Sequence, residues 1–110
     1  MFYMLTCFHL KPNVQLDEFR AAYSNFVKYM QGMDLVAGTG PIGQRQNDTK
    51  MDTDKERDHK YFVLMSFRDR AQVDAAHAHL RPHAEPAESA HKAVYSKAHN
   101  PIFICWQDIE

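Results

Sequence analysis

The segment YFVLMSF, Tyr61–Phe67, decides how this chain folds. Side chains alternate between the two faces of a β-strand. One face of this segment carries Tyr61, Val63, Met65 and Phe67, and the other carries Phe62, Leu64 and Ser66. Both faces are therefore apolar, which is unexpected in an antiparallel sheet that has one face in water. The segment predicts a strand that is covered on both sides.

The residues that follow this strand predict two helices and a closing strand. Asp69 is placed to cap a helix, with Gln72 three residues later, as in a capping box. That helix is expected to run to about Leu80, because a proline two residues further on removes a backbone donor and restricts the residue before it. A second helical stretch covers roughly residues 86–98, and IFICWQ, residues 102–107, forms the last strand.

The residues that precede the central strand predict the other half of the fold. Residues Phe2–Leu10 are rich in aromatic and β-favouring side chains and end at a Lys-Pro-Asn turn, which indicates a strand. From Leu16 the apolar residues recur at three- and four-residue steps, which predicts an amphipathic helix that ends at Gly32. A second strand with several glycines is expected at residues 35–45. The segment 46–60, with nine charged residues in fifteen, is expected to be a solvated, mobile loop.

The predicted order of elements is β-α-β-β-α-(α)-β, in one domain of residues 1–110. This order is the split βαβ of the ferredoxin-like α+β class, with a four-stranded antiparallel sheet. Both crossovers lie on the same side, so the helices cover only one face of the sheet. The first and last strands are also apolar on both faces, so on the order of several hundred Å² of apolar surface would remain uncovered. We therefore predict a homodimer with the two sheets face to face, the alternative being a monomer with an open ligand groove.

Four segments, FHLKPNVQLDEF, PIGQR, YFVLMSFRDRAQVDAAHAHLRPH and IFICWQDIE, occur along the chain in this order. Their order and spacing resemble the stress-responsive dimeric α/β-barrel domain family, and the likeness covers nearly the whole chain. Its most specific parts are the Lys-Pro after the first strand and the turn with histidine and proline after the second helix. The resemblance implies a dimer whose paired four-stranded sheets form a barrel.

Composition limits the partners of this protein. Thirteen basic and fourteen acidic residues give a net charge of -1, which indicates neither a nucleic-acid nor an anionic-membrane partner. The apolar N-terminus lacks a basic start and a cleavage site and is interrupted by His9 and Lys11, so neither a signal peptide nor a membrane helix is expected. Cys7 and Cys105 lie in apolar runs, which predicts buried, reduced and inert thiols in a cytoplasmic protein.

The segment GTGPIG, residues 38–43, matches the G-x-G-x-x-G pattern of dinucleotide-binding loops. Such a loop turns a strand into a helix whose N-terminal amides hold the pyrophosphate. Here the residues after Gly43 are polar without helical periodicity, and Pro41 lies inside the pattern. We therefore predict no cofactor, and interpret the glycines as permitting a bent or bulged strand next to a cavity.

Seven histidines are many for this length, and five of them lie in the last third: His77, His79, His83, His91 and His99. On an ideal helix the last three would step by about 80°, so they do not form a stripe. His79 and His83 have the i,i+4 spacing of a metal-binding pair, but the proline between them breaks the helix. No acidic residue at a telling spacing completes a set, so no metal is predicted.

The resemblance also implies a candidate reaction. Some members of the family are polyketide cyclases, with a His-Pro-x-His motif at this turn and a tyrosine just before it. His79 matches the first histidine and His83 approximates the second, one residue late. Ala76 and Met4 stand where the cyclases carry the tyrosine and a strand-one histidine. We expect a neutral imidazole of His83 or His79 to be the general base at the cavity mouth, with His9 as a third candidate.

Two functions from different classes fit the sequence. The first is binding or transformation of a small, mostly apolar molecule in a barrel cavity, with cyclase-like acid–base chemistry. The second is a non-enzymatic dimeric stress-response or accessory protein whose barrel is filled by side chains. Haem binding would need an axial histidine beside a roomy pocket, and the sequence singles none out. A cavity of a few hundred Å³ in each subunit distinguishes the first function from the second.

Overall fold

The computed structural model describes residues 1–110 and contains three helices and five strands. The elements are β1 (Phe2–Leu10), α1 (Leu16–Gly32), β2 (Gly38–Thr39), β3 (Gly43–Gln44), β4 (Tyr61–Phe67), α2 (Arg70–Leu80), α3 (Ala87–Tyr95) and β5 (Ala98–Gln107). The strands form one sheet in the order β2-β4-β1-β5, with β3 also paired to β4, and every pairing is antiparallel. The predicted ferredoxin-like α+β fold is confirmed. None of the helices has the length and hydropathy needed to cross a membrane.

The segment with the glycines accounts for the fifth strand. Gly38 and Thr39 pair with Ser66 and Met65 of β4, whereas Gly43 pairs with Phe62. Four residue steps on this side therefore face three on β4, so one extra residue is inserted, as in a β-bulge. The predicted bulged strand is confirmed, and no helix follows it. The glycines all have negative φ, so left-handed backbone angles are not the reason for them.

The last strand begins earlier than the sequence predicted. β5 starts at Ala98 rather than at residue 102, and α3 ends at Tyr95. The Asn-Pro pair at 100–101 does not break the strand, because β5 is an edge strand, where a proline without a backbone donor is tolerated. Asn100 takes a positive φ of 52°, and the register with β1 shifts by one residue at this point. The pair therefore marks a bulge, not a strand start.

The helices cover one face of the sheet and form the core there. The core joins the inward residues of β1 and β4 with those of α1, among them Phe2, Phe8, Val63, Met65, Phe19, Phe26 and Met30. Phe8 has no exposed surface, and its ring centroid lies 4.7 Å from that of Phe19 and 5.7 Å from that of Tyr61. The period-two pattern of β1 and the helical period of α1 thus meet in one apolar layer.

The opposite face of the sheet carries no helix, and we refer to it as the open face. Its large apolar residues are Tyr3, Leu5, Phe62, Leu64, Ile102, Ile104 and Trp106. Leu5 lies directly between Leu64 and Ile104, and the ring of Tyr3 is 5.6 Å from that of Trp106. Ile104 and Trp106 are 38% and 43% exposed. A contiguous apolar surface of this kind marks an interaction site on a protein.

The loop 46–60 is more ordered by its contacts than the sequence predicted. Arg45 donates from Nε and Nη2 to both carboxylate oxygens of Asp52, at 2.8 and 2.7 Å, and from Nη2 to the Asp54 carbonyl. His59 is 2% exposed, and its Nε2 donates to the Asn100 carbonyl at 2.8 Å. Most residues of the loop are exposed, as expected, whereas the contacts of Arg45 and His59 tie parts of the loop back onto the sheet.

The two cysteines differ in their surroundings. Cys7 is buried, and burial raises the pKa of its thiol against the opposing effect of Arg57, which agrees with the predicted inert thiol. Cys105 is exposed, so the expectation that both thiols are buried is wrong. The reason is its position on the edge strand β5, which the helices cover only in part.

Asp69 caps α2 as the sequence predicted, because its carboxylate accepts a hydrogen bond from the Gln72 amide at 2.9 Å. The Gln72 side chain accepts from the Arg68 amide at 2.6 Å instead of from the cap residue. We expect Asp69→Ala to lower the free energy of unfolding by about 1 kcal/mol, measured by urea denaturation. Asp69→Asn, which keeps an acceptor, should lose much less. Equal losses in the two variants would contradict the cap.

Candidate functional site

A cavity of about 600 Å³ lies between the helix-covered face of the sheet and the three helices. Twelve of its sixteen lining residues are hydrophobic, so it suits a mostly apolar occupant. Its floor is formed by Phe2, Met4, Met65, Phe67, Phe103 and Cys105. Phe103 is 58% exposed, which places the mouth of the cavity at the edge strand β5.

A smaller compartment of about 100 Å³ adjoins this cavity. The two share five lining residues, Met4, Phe26, Met65, His91 and Phe103. His91 is the one ionisable residue among these five, so its imidazole stands at the junction of the two compartments. We refer to the two compartments together as the cavity.

The imidazole of His91 is held between two aromatic rings. It stacks on Phe26 with ring centroids 5.1 Å apart, and it meets the ring of Tyr95 edge-on at 4.9 Å. Burial lowers the pKa of His91 below its usual 6.5, so the ring is neutral at pH 7. Its Nδ1 is buried and makes no hydrogen bond within the protein. A neutral imidazole with a free ring nitrogen can accept a proton or a hydrogen bond from a bound molecule.

A hydrogen-bonded chain runs from Tyr95 to the protein surface. The Tyr95 hydroxyl donates to one carboxylate oxygen of Glu88 at 2.5 Å, and His83 Nδ1 pairs with the other at 2.6 Å. These contacts lower the pKa of Glu88, the bond from Tyr95 having the larger effect, and they raise the pKa of Tyr95. Glu88 is therefore ionised and Tyr95 protonated at pH 7.

The structure places the predicted histidines His79 and His83 near the cavity but not among its lining residues. His79 is half-buried, and its Nε2 is hydrogen-bonded to the Tyr29 hydroxyl at 2.7 Å, which links α2 to α1. His83 lies in the turn after α2 with a positive φ of 54° and is largely exposed. It reaches the cavity only through Glu88 and Tyr95.

His9, the third predicted histidine, follows Cys7 on the open face and is not brought together with the other two. Its ring stacks on that of His59 at 5.2 Å and lies 6.3 Å from that of His99. Its Nε2 is 3.4 Å from a carboxylate oxygen of Asp58. No three His, Cys, Asp or Glu side chains in the protein are arranged to hold a metal ion.

Sequence reasoning missed His91 and His77, the two histidines that do line the cavity. The signal for His91 was present in α3, where Ala87, Ala90, His91 and Val94 recur at three- and four-residue steps. The angular steps between the histidines do not show that His91 shares a face of α3 with apolar residues. Ala76 and Met4, the positions where the resemblance implied a tyrosine and a histidine, both line the cavity.

No protein-family model matches the sequence, and no relative was found among curated proteins. Solved structures do match. A variant of SnoaB, a cofactor-independent oxygenase from Streptomyces nogalater, aligns with 8% identity over 99% of this chain and 93% of its own, at a TM-score of 0.67. The Arabidopsis thaliana protein At3g17210 aligns with 6% identity over 100% and 97%, at 0.74. A dimeric ferredoxin-like protein of unknown function from Jannaschia sp. CCS1 aligns with 14% identity over 97% and 98%, at 0.66.

The chain has a ferredoxin-like fold. At these identities the structural likeness shows the fold alone, and it covers almost the whole of each chain. The structural relatives include dimeric ferredoxin-like proteins and proteins described as an oxygenase and an antibiotic biosynthesis monooxygenase. Function on such a fold must be argued from the site itself.

Proposed function

We propose that this protein is a homodimer in which each subunit binds a small, mostly apolar molecule in the cavity, with His91 as the base of a proton-transfer reaction. One observation carries the proposal: the neutral imidazole of His91, whose Nδ1 has no hydrogen-bond partner in the protein, belongs to a residue that lines both compartments of an apolar cavity, the larger of about 600 Å³. Buried polar atoms are normally hydrogen-bonded in proteins, so a cavity-lining histidine with an unpartnered ring nitrogen is a candidate ligand contact.

The open face supports the homodimer. Two sheets packed face to face would cover Leu5, Ile104 and Trp106, which otherwise leave a large apolar surface in water. A two-fold contact also pairs the same surface with itself, which an apolar patch of low charge allows. The Jannaschia protein, with the same fold, is described as dimeric.

The role predicted for His79, His83 and His9 as general bases remains a prediction. None of these residues lines the cavity, whereas His91 does, so we place the base at His91. A neutral histidine within the site can remove a proton from a bound molecule without a metal. SnoaB is described as a cofactor-independent oxygenase, which supports a reaction carried by side chains on this fold.

A second candidate is the non-enzymatic dimeric stress-response or accessory protein. It is favoured by the large side chains of the open face, which would fill the space between two facing sheets. The cavity, however, lies on the other side of the sheet, under the helices. A filled barrel interior and a ligand site under the helices are therefore compatible, and ligand binding distinguishes the two functions.

The test compares two probes of the same shape, naphthalene and 1-naphthol, by fluorescence titration and thermal shift. We expect both to bind, and 1-naphthol to bind more tightly because its hydroxyl can donate to His91. In His91→Phe, which keeps a ring on Phe26, the Kd of 1-naphthol should rise about 2- to 10-fold, the effect of one hydrogen bond. The Kd of naphthalene should stay within about twofold.

His99→Phe is the matched control, because His99 is exposed and lies on the strand β5 outside the cavity. It should change neither Kd. Failure of both probes to bind the unmodified protein would overturn the ligand site and favour the accessory protein. Binding of both probes with equal losses in His91→Phe would retain the cavity but remove the proposed hydrogen bond to His91.

A further inference from the structure

We propose that Glu88 is a positioning residue of this site: it holds Tyr95 against His91 and ties both to the turn between α2 and α3 through His83. The inference rests on the proposed function, because it assigns the support of the same site. Glu88 does not line the cavity, so it acts through Tyr95 and not by touching a bound molecule.

The spacing along α3 brings the three residues together. Glu88, His91 and Tyr95 are separated by three and four residues, which places them on one side of the helix. Each carboxylate oxygen of Glu88 has one partner, Tyr95 at 2.5 Å and His83 at 2.6 Å. The Glu88 side chain is 17% exposed, so these two contacts replace most of its hydration.

The hydrogen bond to Glu88 fixes the Tyr95 side chain, because the other contacts of Tyr95 restrain it only in part. The residue is 41% exposed, and its ring lines the smaller compartment of the cavity. One face of the His91 ring packs on Phe26 of α1, and Tyr95 meets the same ring edge-on. Without the bond to Glu88 the Tyr95 side chain would be free to turn towards water, and His91 would lose one of its two ring contacts.

Glu88 is one of several ionisable groups around His91. The ionisable residues that face the cavity from neighbouring elements are Tyr23 on α1, Arg70, Asp74 and His77 on α2, and Cys105 on β5. Arg70 is paired with Asp74 at 3.0 Å, so their charges offset each other. Burial has the largest effect on the pKa of His91 and lowers it, while the negative charge of Glu88 raises it and His83 lowers it.

The experiment follows the His91 ring by NMR in the ligand-free protein, through the titration and chemical shift of its Cε1 proton. In Glu88→Gln we expect the pKa of His91 to fall, because a nearby negative charge is removed. The proton should also shift as the Tyr95 ring moves. In Tyr95→Phe the charge of Glu88 remains, so the chemical shift should change while the pKa moves less.

Glu85→Gln is the matched control, because Glu85 accepts a hydrogen bond from Ser89 on the surface, whereas the Tyr95 hydroxyl donates to Glu88. A folded Glu88→Gln protein whose His91 pKa and chemical shift match those of Glu85→Gln would overturn the proposal. So would a Tyr95→Phe protein with an unchanged His91 shift. These readouts need no ligand, so they can succeed even if 1-naphthol fails to bind, and the two failures are distinguishable.

Discussion

Ile104→Asp is expected to convert the proposed dimer, of twice 12.8 kDa, into 12.8 kDa monomers at micromolar concentration. Ile104 is 38% exposed in the subunit, so aspartate can remain hydrated in a monomer and should leave the fold intact. In a two-fold dimer it would place two carboxylates within an apolar contact. Burying such uncompensated charges costs several kcal/mol, which corresponds to a Kd at least about 100-fold higher.

Sedimentation velocity with light scattering measures this directly. Met33→Asp is the control, because Met33 is 50% exposed at the end of α1, away from the open face, and receives the same new charge. It should remain a dimer. A dimeric Ile104→Asp protein would show that the open face is not the contact, and a monomeric unmodified protein would remove the homodimer from the proposal.

Phe8→Ala is expected to lower the free energy of unfolding by about 3 to 5 kcal/mol. Phe8 has no exposed surface and packs between Phe19 and Tyr61, so its removal loses apolar burial and leaves a void that the surrounding rings can fill only in part. The loss is a large part of the stability of a domain of this size. Urea denaturation gives the free energy at pH 7.

Phe103→Ala makes the same chemical change at an exposed site. Phe103 is 58% exposed at the cavity mouth, so we expect a loss below about 1 kcal/mol. If the two variants lose similar amounts, the core does not lie between β1 and α1 as described. Phe103→Ala should instead weaken binding of both naphthalene probes, because Phe103 borders both compartments.

Most of the fold could be predicted from local pattern. β1, β4 and α1 have the expected bounds because their apolar period is regular and their ends carry clear turn signals. The start of β5 was predicted too late, because Asn-Pro usually ends a strand. Only the pairing with β1 shows that Asn-Pro here forms a bulge on an edge strand. The loop 46–60 is mostly exposed, as predicted, but composition does not reveal that its charges pair with Arg45 and with one another.

The site was harder to predict than the fold. The cavity is a space left between the three helices and the sheet, and no residue pattern measures the gap between packed elements. His79 and His83 lie in the helix and the turn that the sequence predicted, yet neither lines the cavity, and His83, with its positive φ, pairs with Glu88. His91 could have been found from the apolar face of α3. Its contact with Phe26 of α1 could not, because it depends on how the two helices pack.

The positions implied by the resemblance also acquire a meaning from the structure. Ala76 and Met4 line the cavity, so the cavity is the place where the cyclases' tyrosine and histidine would stand. This chain has small or apolar side chains there and places His91 and Tyr95 on α3 instead. The site we propose therefore includes these two positions but lies under the helices, not in the barrel cavity that the sequence predicted, and its polar groups are on α3.

The six methionines allow the most direct test of the cavity as the ligand site, by NMR of methyl-labelled methionine with 1-naphthol. Met4, Met30 and Met65 line the cavity, whereas Met1, Met33 and Met51 are exposed elsewhere. We expect the first three methyl signals to shift on titration and to show contacts with the naphthol ring, while the other three stay in place. Shifts at Met1, Met33 or Met51 alone, or at none of the six, would contradict a ligand site under the helices.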